Sequence, residues 1–112
     1  MKKIVDDVYY SKSALKFIKS RTSGEKKYLQ NVIEKHLKVL PATGDIKPLQ
    51  GYSDERKRLR AGGVRIIFRY DEDGSLLILS IIDIGTQGEA KIIDKSDKEM
   101  KSGEYFSEKD VW

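Results

Sequence analysis

The clearest periodic pattern in the chain lies between residues 29 and 40, where hydrophobic positions recur three and four residues apart. This spacing predicts one face of an amphipathic helix. The positions on that face are Leu29, Val32, Ile33, His36, Leu37 and Leu40. Pro41 and Gly44 predict the end of the helix, because proline cannot continue it and glycine favours the turn that follows.

A shorter helix is predicted before this one. Ser11 and Ser13 are both suitable N-caps, since a serine hydroxyl can accept a hydrogen bond from a free amide in the first helical turn. Apolar positions follow at Ala14, Leu15, Phe17 and Ile18. Ser23 and Gly24 predict the break between the two helices. A short connection makes the two helices roughly antiparallel.

The remaining regular pattern alternates with a period of two and predicts β-strands. A strand is expected at residues 4–10, and three more at 55–61, 64–70 and 76–84. Gly62 and Gly63 predict a two-residue hairpin turn between the second and third of these, and residues 71–74 predict another turn. The last strand is apolar on both faces, as is typical of a central strand. Residues 45–52 are interpreted as a loop.

The glycine turn places arginines on one side of the predicted hairpin. Residues whose numbers sum to 125 then stand opposite each other, so Arg60 faces Arg65 and Arg56 faces Arg69. Since strand side chains alternate between faces, five arginines share one side. We call this side the arginine face, and it comprises Arg56, Arg58, Arg60, Arg65 and Arg69.

The opposite face of the hairpin is apolar, and the two helices are expected to cover it. It carries Leu59, Ala61, Val64, Ile66 and Phe68, with Lys57 as its one charge. Like charges opposite each other in a sheet are destabilising. The arginines therefore favour an external ligand with phosphate or carboxylate groups, which guanidinium binds in a bidentate manner. The alternative is a solvated strand face whose charges prevent aggregation.

Composition limits the number of domains, the class of partner and the compartment that the chain suits. A chain of 112 residues with a net charge of +4 is one domain. Residues 94–112 contain six acids and four bases, a balance of −2, so the rest of the chain carries +6. A basic body suits a polyanion or an acidic protein as partner. Composition alone, however, favours the alternative that the positive charge only keeps a small protein in solution. The absence of cysteine excludes disulfides and thiolate chemistry and suits the cytoplasm. The N-terminal residues contain no apolar run, so neither a signal peptide nor a membrane span is expected.

Several segments occur in the order and spacing of a known family. They are YSKSALK at 10–16, IKPLQGY at 46–52, RLRAGGVRIIF at 58–68 and IDIGT at 82–86. Together they resemble the core signature of the RelE/ParE superfamily. The resemblance covers residues 5 to about 90. It implies an α+β fold with an N-terminal strand, a two-helix hairpin and a three-stranded antiparallel meander, with the helices on one sheet face. Residues 1–93 are expected to form this domain, and residues 94–112 a polar tail packed on it.

The same resemblance implies a toxin of a bacterial type II toxin–antitoxin system, neutralised by an acidic antitoxin. The RelE branch cleaves mRNA in the ribosomal A site without metal, and no cofactor is expected. The ParE branch inhibits DNA gyrase instead. A relative that only binds an antitoxin or nucleic acid is a third interpretation.

The resemblance also assigns site residues. Arg56 and Arg58 stand where RelE-like enzymes place basic catalytic residues, and Arg65 matches the arginine of the following strand. Glu89 is a candidate acid or base. The RNA-binding set comprises Arg56, Arg58, Arg60, Arg65, Arg69 and Lys91. The chain departs from the family where an arginine is replaced by Gln87 and where the tyrosine position holds Lys91 or Ile93.

Other groups are expected to be structural. His36 lies on the apolar stripe of the second helix, and Asp83 lies near the end of a strand facing the helices. No metal-ligand spacing, glycine-rich phosphate loop or serine triad is visible. Tyr105, Phe106 and Trp112 are expected to anchor the tail on the sheet, and the acidic tail is a candidate occupant of the arginine face.

Overall fold

The computed structural model describes residues 3–85 and 88–112, apart from the side chains of Glu89, Ala90 and Glu99. Its helices are α1 Lys12–Lys19, α2 Ser23–Val32, α3 Glu89–Lys101 and α4 Glu108–Val111, and a π-helical turn, Ile33–Leu37, continues α2. Its strands are β1 Lys3–Ile4, β2 Val8–Ser11, β3 Val39–Leu40, β4 Asp45–Pro48, β5 Lys57–Ala61, β6 Val64–Tyr70, β7 Leu76–Asp83 and β8 Tyr105–Ser107. The fold class is α+β, as predicted.

Six strands form one mixed sheet in the order β4-β5-β6-β7-β2-β8. The predicted meander is its centre, since β5, β6 and β7 pair antiparallel in sequence. Strand β2 joins β7 in parallel, and β8 closes the far edge antiparallel to β2. The short strands β1 and β3 pair separately. The predicted first strand, residues 4–10, is thus divided between two sheets.

Capping side chains set the boundaries of the helix pair. Ser11 is the N-cap of α1, and its Oγ accepts a hydrogen bond from the amide of Ala14 at 3.1 Å. Thr22 caps α2 in the same way, accepting from the amide of Glu25 at 3.2 Å. The predicted break at Ser23 and Gly24 is therefore wrong, because these residues form the first turn of α2.

The second helix also ends earlier than its hydrophobic pattern suggests. Its π-helical turn ends at Leu37, and Leu40 belongs to β3 instead. The amide of Lys38 donates to the carbonyl of Ile33, closing the wider π-type turn. Residues 39 and 40 are consequently free to pair with β1.

The sheet is covered on both faces, which corrects the expectation that the helices lie on one face only. Helices α1 and α2 cover the predicted apolar face, where Leu59, Ile66 and Phe68 are buried. Helix α3 covers the other face with Ile93, against Ile67, Leu77, Leu79 and Ile82. The physical reason is strand β7, which is buried along nearly its whole length and needs apolar cover on both sides.

Residues 45–52 were interpreted as a loop, but the first four form edge strand β4, which pairs antiparallel with β5. Pro48, the proline that suggested a loop, is the last residue of this edge strand. There its missing N–H costs no hydrogen bond in the centre of the sheet. The interpretation therefore failed because proline is compatible with an edge strand.

The C-terminal aromatic residues pack against β2. Phe106 stands opposite Tyr10 in the β2–β8 register, and Tyr105 forms an edge-to-face contact with Tyr9 at 5.3 Å. The indole Nε1 of Trp112 donates to the hydroxyl of Tyr10 at 2.9 Å. No helix within the described stretches is long and apolar enough to cross a membrane.

Candidate nucleic-acid interface

The β5–β6 hairpin has the predicted register. Arg60 stands opposite Arg65, and Arg58 opposite Ile67. Gly62 occupies the turn with φ +56°, a conformation in which a side chain would be strained and would approach the hydroxyl of Tyr28 at 3.2 Å. The arginine face is therefore on the side of the sheet away from α1 and α2, as the sequence predicts.

The far end of the arginine face differs from the prediction. Strand β5 begins at Lys57, so Arg56 and Arg69 do not form a cross-strand pair. Both instead bind one acid, Asp54. The Nε of Arg56 donates to Asp54 at 2.8 Å, and the Nε of Arg69 lies 3.4 Å from the same carboxylate. Arg69 also lies 3.5 Å from Asp71.

Arg56 additionally joins the sheet to α3. Its Nη1 contacts both carboxylate oxygens of Asp97 at 2.9 Å. Its guanidinium carbon lies 4.1 Å from the ring centre of Tyr52, in a cation–π arrangement. The residue is only 6% exposed. We call this group, Asp54, Arg56 and Asp97, the acid–arginine bridge.

The electrostatics of the bridge follow from these contacts. Burial disfavours the charged guanidinium, but the hydrogen bonds from Asp54 and Asp97 outweigh it and raise the pKa of Arg56 above its ordinary value. The hydrogen bond from Arg56 in turn lowers the pKa of Asp54. Arg56 and Asp54 are both charged at neutral pH, and their charges are used within the molecule. This geometry favours a structural role for Arg56. Among the described residues of the C-terminal segment, Asp97 is an acid that contacts the arginine face.

The end of the face near the glycine turn is different. Arg60 is exposed, and Arg58 and Arg65 are half-buried. The Nη1 atom of Arg58 is buried and has no hydrogen-bond partner among the described residues. A buried donor on a charged group that lacks a partner costs about 1–3 kcal/mol. An anion arriving at Arg58 would remove that cost.

Edge strand β4 adds charges that the sequence analysis did not assign to this surface. Lys47 stands opposite Arg58 and is exposed, and Asp45 stands opposite Arg60. Opposite residues in an antiparallel pair share a face. Lys47 therefore increases the positive charge around Arg58. The same segment contributes Leu49 and Tyr52, which are partly buried against the cluster around Ile67. A strand interpretation of residues 45–48 would have revealed Lys47.

Helix α3 supplies the last candidates. Lys91 lies in its first turn and is exposed. Glu89 is the first residue of the helix, but its side chain lies outside the described part of the structure, as does Gln87. The helix starts soon after β7, whose final residue pairs with Val64 beside the glycine turn. The backbone thus brings the start of α3 to the same end of the sheet as Arg65.

The two residues expected to be structural both contact side chains of the protein itself. The Nδ1 of half-buried His36 lies 2.8 Å from the Thr43 hydroxyl oxygen. The carboxylate of Asp83 accepts a hydrogen bond from Arg21 at 3.1 Å, on the side covered by α1. These contacts agree with a structural role for His36, which is half-buried, whereas Asp83 is exposed. Within the described ranges, no three His, Asp or Glu side chains group as metal ligands.

The fold and this surface define a small α+β protein whose mixed sheet carries a basic patch beside a glycine hairpin. No protein-family model matches the chain, and no curated protein matches it. Among solved structures, the chain is similar to one in the crystal structure of the toxin–antitoxin complex RelBE2 from Mycobacterium tuberculosis. The TM-score is 0.53 at 15% identity, and the alignment covers 71% of this chain and 96% of that one. The resemblance predicted from the motifs is thereby confirmed for the fold.

Proposed function

We propose that this chain is a toxin of RelE type that an acidic antitoxin neutralises, and that it cleaves mRNA on the ribosome. The fold similarity to a chain of the RelBE2 complex supports the toxin role. The observation that carries the RNA-directed part is Arg58, whose buried Nη1 lacks a partner among the described residues while Lys47 stands beside it.

The proposed reaction needs no group beyond the RNA and the protein. The ribose 2′-hydroxyl attacks the adjacent phosphorus, the bond from phosphorus to the 5′-oxygen breaks, and a 2′,3′-cyclic phosphate and a 5′-hydroxyl result. A base accepts the proton of the 2′-hydroxyl, and an acid gives a proton to the departing oxygen. Arg58 and Arg65 are assigned to stabilise the charge on the phosphorane, because guanidinium stays protonated and presents two parallel donors.

Glu89 and Lys91 at the start of α3 are proposed as the acid and base pair. Arg60 and Lys47 are proposed to hold flanking phosphates. Both are exposed, and Arg60 lies two residues along β5 from Arg58 while Lys47 stands opposite Arg58 on β4. Arg56 and Arg69 are assigned a smaller part than the resemblance implies, because Asp54 and Asp97 already bind them.

The engagement of Arg56 favours a second candidate, a gyrase inhibitor that binds without catalysis. An RNA-cleaving enzyme of this type needs several charged groups at one phosphate, and one of the expected groups is occupied by the acid–arginine bridge. A binding protein needs only the exposed basic surface. An acidic antitoxin segment would fit this surface in either case.

The deciding experiment compares induced expression of the wild type with the Arg58→Ala, Arg65→Ala double variant. We expect growth arrest with new mRNA 5′ ends for the wild type, and neither effect for the double variant. The Lys35→Ala, Lys109→Ala variant removes the same charge at exposed sites elsewhere and should behave as wild type.

Two other outcomes reject the cleavage proposal. Growth arrest with intact messages and inhibited supercoiling by purified gyrase would establish the gyrase alternative. Absence of arrest by the folded wild-type protein would identify a relative that only binds.

A further inference from the structure

A cleft of about 330 Å³ opens on the α3 side of the sheet, at the end of β6 away from the glycine turn. Its walls come from β2, from the end of β6 and the turn into β7, from the end of α3 and from β8. Leu77 belongs to the cluster around Ile67, and Tyr9 and Met100 pack against that cluster. Small-molecule sites begin at about 300 Å³, so the cleft has room for one small ligand.

Tyr105 gives the cleft an exposed aromatic wall. The residue is 48% exposed, and its ring meets that of Tyr9 edge to face, with 5.3 Å between the ring centres. This contact fixes the orientation of the ring, so a planar ligand that stacks on it has little side-chain freedom to remove. Nucleobases stack on such aromatic side chains.

The turn after β6 holds Asp71 at the cleft. The amide of Asp71 donates to the carbonyl of Ser75 at 2.8 Å, and the amide of Gly74 donates to the carbonyl of Asp71 at 2.9 Å. The Asp71 side chain is exposed, and Arg69 lies 3.5 Å from its carboxylate, at the limit of a hydrogen bond. Since a carboxylate offers about four acceptor positions, Asp71 can accept further hydrogen bonds.

The charged groups that line the cleft balance. Arg69 and Lys101 are positive, and Asp71 and Asp73 are negative. A site for a phosphate or carboxylate would need an excess of positive charge, so this lining favours an uncharged ligand with hydrogen-bond donors and acceptors. The ion pairs that the described residues form do not include Lys101, whose ammonium group is a donor on the same cleft.

We propose that this cleft binds a guanine base, either of a free nucleotide or of an RNA. The Watson–Crick edge of guanine presents two adjacent donors, N1–H and the 2-amino group, beside the acceptor O6. The two donors bind the two carboxylate oxygens of Asp71, and Lys101 donates to O6. Tyr105 stacks on the plane of the base. The inference does not rest on the proposed function, because neither Arg58 nor Arg65 takes part.

The acid selects guanine among the bases. Adenine and cytosine each place a ring acceptor next to their amino group, so one carboxylate oxygen would meet a lone pair. Uracil has a single donor between two carbonyl oxygens. A bidentate contact discriminates against a wrong base by about tenfold or more.

The first test titrates the whole chain with guanosine, inosine and adenosine monophosphate and follows the backbone amides by NMR. Inosine monophosphate lacks only the 2-amino group and therefore loses one hydrogen bond to Asp71. We expect shifts in residues 71–77 and 100–105, with the guanine nucleotide bound about tenfold more tightly than the other two.

The second test repeats the titration with variants. Asp71→Asn should lower the affinity for the guanine nucleotide to that for the inosine nucleotide and leave the adenine nucleotide nearly unchanged. The matched control is Glu72→Gln, which removes the same charge from the next residue of the turn, exposed and outside the cleft. It should keep the guanine preference.

The aromatic wall has its own pair of variants. Tyr105→Ala should weaken binding of all three nucleotides about tenfold, because each base loses its stacking partner. Tyr28→Ala removes a ring of similar exposure, 49%, from α2 and should bind as wild type does. Circular dichroism checks that all variants fold.

Two uridine heptamers that differ in one central base, guanine or adenine, identify the source of the base. A preference for the guanine heptamer that Asp71→Asn abolishes supports the site and assigns it to RNA. A preference among the mononucleotides alone supports it and assigns it to a free nucleotide. The Arg58→Ala, Arg65→Ala variant should keep the difference between guanine and inosine nucleotides, so failure of the proposed function leaves this result intact.

The proposal is overturned if wild type binds the guanine and inosine nucleotides equally, or if the shifts lie away from the cleft. Both outcomes are read on wild type and need no variant to fold. A guanine preference that persists in Asp71→Asn would also overturn it, because another group would then recognise the base.

Discussion

The two ends of the arginine face contain the same residue type, on or directly next to the same pair of strands, yet they differ in their surroundings. At one end, Arg56 is 6% exposed and held by two aspartates. At the other, Arg60 is exposed and Arg58 has a buried donor without a partner in the described structure. The difference shows that the position of acids, not the arginines themselves, decides which guanidinium groups are available to a ligand.

The acids come from two separate parts of the chain. Asp54 immediately precedes the hairpin, whereas Asp97 lies on α3, beyond the last strand of the meander. Helix α3 therefore divides the arginine face into a structural end and a solvent-accessible end. Four variants, two of them with a control variant, measure how sharp this division is.

The largest expected effect is that of Arg56→Ala on stability. Removing this guanidinium takes from Asp97 its ion pair with Arg56, leaves Asp54 its weaker contact with Arg69, and breaks the link between α3 and the segment before β5. We expect the free energy of unfolding to fall by about 2–3 kcal/mol, below the full cost of a buried pair because both acids keep contact with water. The melting temperature should fall by about 10 °C.

Arg60→Ala is the control for this measurement at the exposed end. It should change the free energy of unfolding by no more than about 0.5 kcal/mol. Equal destabilisation by the two variants in chemical denaturation would mean that the acid–arginine bridge does not distinguish the two ends.

The next effect concerns binding. Arg58→Ala should weaken binding of a short single-stranded RNA about tenfold and reduce the salt slope by about 1, because one phosphate contact is lost. Fluorescence anisotropy measures both quantities. Arg69→Ala, on the same face but bound to Asp54 and Asp71, should leave the affinity nearly unchanged. Equal losses would show that both ends contact RNA.

A smaller effect is expected for Asp97→Asn. The amide keeps one acceptor for Arg56 but loses the charge, so a charge-assisted hydrogen bond becomes an ordinary one. We expect a loss of about 1 kcal/mol in unfolding free energy. Amide hydrogen exchange in α3 should become faster than in α1. Unchanged exchange in α3 would mean that Asp97 does not hold this helix on the sheet.

The smallest effect is the pH dependence of Asp54. Its pKa is lower in the folded protein than in the unfolded chain, chiefly because Arg56 donates a hydrogen bond to it. Its contribution to stability is therefore complete above the unfolded value of about 3.9 and is lost as pH falls towards the folded value. Thermal unfolding of Asp54→Asn should depend less on pH below about 4 than that of wild type. Parallel curves would contradict this assignment.

Much of the sheet could be predicted from local patterns. The glycine turn fixes the hairpin register, because a slip by one residue would bury arginines under the helices. Strand β7 was predicted from its continuous apolar run, and Ser11 was among the two predicted caps of α1. The same apolar run also indicates that the sheet is covered on both faces, which was not predicted. A strand buried on both faces requires a second helical layer, and α3 provides it.

The failures occurred where local and tertiary preferences conflict. Pro48 and Gly51 suggested a loop, but the residues before them gain hydrogen bonds by pairing with β5 at the sheet edge. Helix α3 was missed because its apolar positions are few, and much of its inner surface is polar. Ser96, for example, is hydrogen-bonded to Ser13 and Ser80 and is fully buried.

The sequence by itself determined that five arginines share one side of the hairpin, because side-chain alternation and turn length are local properties of the backbone. Only the tertiary structure decided which of them a ligand can reach. An arginine is available or occupied according to the carboxylates that packing brings to it. Asp97 approaches Arg56 from 41 residues away along the chain, a distance over which no local pattern carries information.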